Sequence, residues 1–62
     1  MKYYFEFGSL AGECSRVCVK SDSLPDAVKV AERWYVEHVG SLSGKSVYAG
    51  TSPFDLKKIK AW

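Results

Sequence analysis

The amino-acid sequence predicts one small α+β domain of ββαβ order, on three observations. Two segments alternate polar and apolar residues with period two and are separated by a glycine-containing loop. One longer segment repeats apolar residues at helical spacing behind a clear start signal. A third short run of strand-forming residues follows a glycine- and serine-rich loop.

The first strand is expected at residues 2–7, KYYFEF, with Tyr3, Phe5 and Phe7 on one face and Lys2, Tyr4 and Glu6 on the other. Residues 14–20, CSRVCVK, set Ser15, Val17 and Val19 against Cys14, Arg16, Cys18 and Lys20. A three-residue loop, Leu10–Ala11–Gly12 with Gly12 left-handed, joins the two as an antiparallel hairpin. That register places Phe5 opposite Val17, Phe7 opposite Ser15 and Glu6 opposite Arg16, a favourable cross-strand pair.

Residues 24–39 read as an amphipathic helix. Ser23 is the N-cap, Pro25 lies in the first turn and Asp26 completes a capping-box arrangement. Leu24, Val28, Ala31, Tyr35 and Val39, flanked by Ala27 and Trp34, form the core stripe. Lys29, Arg33 and Glu37 mark the wet side, with Arg33 and Glu37 spaced for an ion pair, and Gly40 stops the helix. Residues 46–50 form a third strand. A right-handed crossover through the helix sets it beside the first, in sheet order 2-1-3. The ending, TSPFDLKKIKAW, reads as a short C-terminal helix with Ser52 as N-cap and Pro53 at the first position. The alternative is a fourth, bulged strand (ββαββ) with Phe54, Leu56, Ile59 and Ala61 on one side.

At 62 residues the chain is expected to be a single domain, residues 1–62, and aromatic residues at 15% of it are an economical filling for so small a core. A formal charge of +2 excludes an acidic DNA mimic and is too mild to announce a polyanion partner. No apolar run suggests a signal peptide or a membrane span. Cys14 and Cys18, four apart in a strand, would have Cα atoms about 13 Å apart, beyond the ~7 Å limit for a disulfide. A cytoplasmic location is therefore expected.

Catalytic chemistry finds little support, and no enzyme is expected. His38, the single imidazole, sits near a helix C-terminus, where positive charge is favoured. The two thiols read as small apolar strand residues, and with His38 they lack both the second pair and the proximity of a metal site. No glycine-rich phosphate loop is present. Catalytic residues, metal ligands and cofactors are thus all expected to be absent.

Binding is the better expectation. One helix covers one sheet face, so Tyr4, Glu6, Arg16, Cys18 and Lys20 would lie on an open face, an apolar centre with a charged rim. These five are the predicted partner-binding residues. The alternative is a nucleic-acid surface of Lys45, Lys57, Lys58, Lys60 and Trp62, pairing phosphate-seeking charge with a stacking ring. A homodimer through the open face is a third arrangement.

The pattern Ser23-Leu24-x-Asp26-Ala27, continued by Ala31 and Tyr35 on a helix that follows an aromatic hairpin, resembles small phage-encoded inhibitors of host enzymes. These include inhibitors of bacterial RNA polymerase and some anti-CRISPR proteins. The likeness covers roughly residues 2–50, and none of the target-contacting residues of such inhibitors has a counterpart here. It implies a non-enzymatic protein that blocks a host machine, a CRISPR effector or RNA polymerase, by direct contact.

Overall fold

The computed structural model describes residues 1–9 and 12–62. Their order is β1 (Lys2–Ser9), β2 (Cys14–Lys20), α1 (Leu24–His38), β3 (Lys45–Gly50) and β4 (Lys57–Ala61). All strands pair antiparallel in one sheet of order β2-β1-β3-β4.

The hairpin register is the one the alternation predicts: Phe5 faces Val17, Phe7 faces Ser15 and Glu6 faces Arg16. Gly12, at φ +85°, supplies the left-handed conformation that the turn needs, and its N–H donates to the Ser9 carbonyl at 3.1 Å. The remainder of the expected loop, Leu10 and Ala11, lies outside the described residues. The third strand lands beside the first, which puts the ring-rich β1 in the interior of the sheet as expected.

The helix begins where its capping residues dictate. The Ser23 hydroxyl oxygen accepts from the Asp26 N–H at 3.4 Å and itself donates to the Asp26 carboxylate at 3.0 Å. Ala27, Ala31 and Tyr35 are the buried residues of α1. Small alanines let the helix approach closely, so that Tyr3, Phe5 and Phe7 of the sheet fill the space between the layers. The Phe7 and Tyr35 rings meet at 4.6 Å between centroids. Val19, Val47 and Ala49 complete the core, with Val17, Leu24, Val28, Trp34 and Leu42 packed around it. Val39 departs from the expected stripe: it is the C-cap, and it is exposed. Arg33 and Glu37 are both exposed as expected, but they form no ion pair; those among the described residues are Arg16–Glu6, Lys45–Glu13 and Lys60–Glu32.

The C-terminal helix does not form, and the alternative fourth strand does. Ser52 and Pro53 make a tight turn instead of a helix start. The Ser52 hydroxyl accepts from the Phe54 N–H at 3.3 Å, and its carbonyl accepts from the Asp55 N–H at 3.2 Å. The chain then runs back along β3, whose outer edge would otherwise present a row of unpaired backbone groups. The pairing continues past β4, with the Trp62 N–H donating to the Lys45 carbonyl at 2.9 Å. Lys58 aligns with Tyr48 and Lys60 with Val47, so Ile59 is the extra residue of a bulge. The shared apolar side proposed for this strand is absent: Phe54 is 95% exposed, all of β4 is exposed, and Leu56 turns under the sheet. The segment buries too little apolar surface to hold a helix; the edge of β3 decides its conformation.

Candidate docking face

Strand parity sorts the sheet into two unlike faces. Tyr3, Phe5, Phe7, Val47 and Ala49 point toward the helix. On the reverse, Tyr4 aligns with Cys18 and Gly50, Glu6 with Arg16 and Tyr48, Gly8 with Cys14 and Ser46, and Tyr48 with Lys58. The predicted set of Tyr4, Glu6, Arg16, Cys18 and Lys20 therefore shares one face. Tyr4 and Glu6 are half-buried on the interior strand; Arg16, Cys18 and Lys20 are exposed on β2.

The final residues do not seal this face. They extend the sheet edgewise as β4, and among the described residues only the turn at 51–56 laps over it, at the Gly50 end. Asp55 lies so close to Gly50 that an added Cβ would collide with its carbonyl oxygen and stand 3.1 Å from its carbonyl carbon. Glycine at position 50 is what lets the turn fold back. Beside it Pro53 and Leu56, together with Tyr4, Cys18 and Arg16, wall a groove of about 190 Å³. Next to that groove, a more polar depression is lined by Glu6, Ser46, Tyr48 and Lys58.

At the centre of the face the Arg16 Nε donates to Glu6 Oε1 at 2.8 Å. That hydrogen bond, helped by the Cys14 thiol, holds the Glu6 carboxyl below the usual carboxylate range, while partial burial opposes the shift. The same pairing raises the already high pKa of Arg16. Cys14 and Cys18 are free and exposed. No group of three metal-binding side chains occurs among the described residues, and no described helix is long and apolar enough to cross a membrane. His38 is exposed at the helix end, its ring 6.2 Å from that of Trp34.

The alternative set of Lys45, Lys57, Lys58, Lys60 and Trp62 is split, with Lys58 on the face opposite Lys45, Lys57 and Lys60. Lys58 aligns with Tyr48 on the open face, whereas Lys57 and Lys60 align with Ala49 and Val47 on the helix side. Lys60 bonds to Glu32 at 3.3 Å and sits 4.9 Å over the Trp62 ring; Lys45 pairs with Glu13 at 3.3 Å. The bulge at Ile59 puts Lys58 and Lys60 on opposite faces, and the two carboxylates pair with Lys45 and Lys60.

Four members of the open face escape the sequence reading: Tyr48, Pro53, Leu56 and Lys58. Tyr48 and Lys58 join it only through registers with β1 and β4, and Pro53 and Leu56 only because the turn folds back. No signal in the linear alternation marks them. No family model, curated protein or solved structure matches the chain.

Proposed function

We propose that this domain is a non-enzymatic protein-binding module that docks its partner through the open face of the sheet. The observation that carries the reading is the one-sided helix. It leaves Tyr4, Tyr48 and Cys18 on the reverse face, framed by Lys2, Arg16, Lys20 and Lys58. Rings and thiols bordered by charges suit a protein interface of apolar centre and polar rim. The resemblance to phage-encoded inhibitors adds a class of partner, a host protein complex blocked by contact in the cytoplasm. The placing of Lys58 on the opposite face, and the pairing of Lys45 and Lys60 with carboxylates, weigh against a nucleic-acid surface, which needs its cations along one track.

The test is capture of partners from bacterial lysate by the tagged protein, with and without nuclease, followed by mass spectrometry. One stoichiometric, nuclease-resistant protein is expected. Tyr4→Asp and Cys18→Arg should each remove it while circular dichroism shows the fold intact. Undiminished capture by both variants would overturn the docking face, and nuclease-sensitive capture would favour the lysine set.

A further inference from the structure

The open face of the sheet carries an excess of positive charge. Its strands hold four cations, Lys2, Arg16, Lys20 and Lys58, against one carboxylate, Glu6, with Asp55 in the turn that laps over its Gly50 end. Residues 22–38, on and just before the helix, hold Asp22, Asp26, Glu32 and Glu37 against Lys29 and Arg33. Lys57 and Lys60 lie on that helix side as well and balance its carboxylates, so the excess of positive charge sits on the open face.

The cations are not equivalent. Arg16 is engaged by Glu6. Lys2 and Lys20 are direct cross-strand partners, a like-charge pair that antiparallel sheets disfavour, and both are exposed. They stand one same-face step, roughly 7 Å, from the Tyr4–Cys18 pair that forms the wall of the groove. At about 190 Å³ that groove is smaller than the ~300 Å³ or more of a usual small-molecule pocket and suits one apolar side chain. Apolar walls beside two ammonium groups that form no ion pair among the described residues define a complementary ligand.

Building on the docking role proposed above, we infer that the groove takes an acidic–apolar segment of the protein partner. An aliphatic side chain enters between Tyr4, Cys18, Pro53 and Leu56, and a neighbouring carboxylate bridges Lys2 and Lys20. Binding relieves the lysine–lysine repulsion, so the pair serves recognition more than stability. Carboxylate is favoured over phosphate because Glu6 lies at the centre of the same face, where a continuous phosphate backbone would meet it.

The experiment is an amide NMR titration of the isotope-labelled full chain with three probes: a short soluble peptide of leucine and glutamate, its leucine–glutamine counterpart, and single-stranded oligothymidylate. The leucine–glutamate peptide should shift the amides of Tyr4, Cys18, Lys20 and Leu56. It should bind at least about tenfold more tightly than the glutamine peptide. Lys2→Glu with Lys20→Glu should remove that advantage, and Lys2→Arg with Lys20→Arg should keep it, since the fork of arginine also pairs with carboxylate. Equal binding of the two peptides, shifts confined to other surfaces, or tighter binding of the oligonucleotide would overturn the inference. If the peptides fail while Tyr4→Asp still abolishes partner capture, only the chemical class is wrong. If Tyr4→Asp also leaves capture intact, the docking face itself is lost.

Discussion

Replacing Gly50 with alanine should be among the most damaging single-methyl changes in this protein, although the glycine is not in the core. Its hydrogen atoms occupy the space beneath the returning turn, where a Cβ would overlap the Asp55 carbonyl oxygen and come within 3.4 Å of Leu56 Cδ2. The obstacle is backbone, not the end of a pliable side chain, so relief requires the 51–56 turn to lift away from the sheet. Overpacking of this kind costs about 1–3 kcal/mol, and a backbone obstacle belongs at the upper end. A domain of 62 residues has a total stability of roughly 3–9 kcal/mol. At about 4–8 °C per kcal/mol for a chain of this size, Gly50→Ala should lower Tm by roughly 10–20 °C. Thermal and urea unfolding followed by circular dichroism measure it, with amide shifts at residues 53–56 reporting the displaced turn. A variant within about 0.5 kcal/mol of the parent, with those amides unmoved, would refute the close approach of the turn to the sheet.

Two further outcomes follow from the core and the face. Phe7 is 1% exposed and packs on Tyr35, so Phe7→Ala should cost about 3–5 kcal/mol, a large share of the total stability. A loss under about 1.5 kcal/mol in urea unfolding would contradict this packing. Because Glu6 has a lowered pKa in the folded state, its ion pair with Arg16 stabilises the protein at neutral pH. That contribution is lost as pH falls through the folded value, below the usual glutamate value of about 4.3. The stability of the parent should therefore drop toward that of Glu6→Gln on acidification, and pH–stability profiles that stay parallel would exclude the pair as the cause.

Local chemistry made the hairpin and the helix legible. Alternation along KYYFEF and CSRVCVK set the faces and the register, because a slip of one residue would turn Phe5 and Phe7 outward. Ser23, Asp26 and the Ala27–Ala31–Tyr35 stripe fixed where the helix starts and which side it buries. The same local logic fails at Ser52-Pro53, where an equally good start signal has no apolar stripe behind it to pack on a core.

By itself, then, the order of residues determined the α+β class, the interior position of β1 and the open-face set from Tyr4 to Lys20, since each depends on neighbours in sequence or on period-two parity. Only the tertiary structure decided that residues 57–61 become a strand, that Tyr48 and Lys58 join the open face, and that Pro53 and Leu56 wall a groove against Tyr4. Those outcomes turn on an unpaired β3 edge and on the space left by the missing side chain at Gly50. Both are properties of assembled backbone, which no stretch of sequence carries alone.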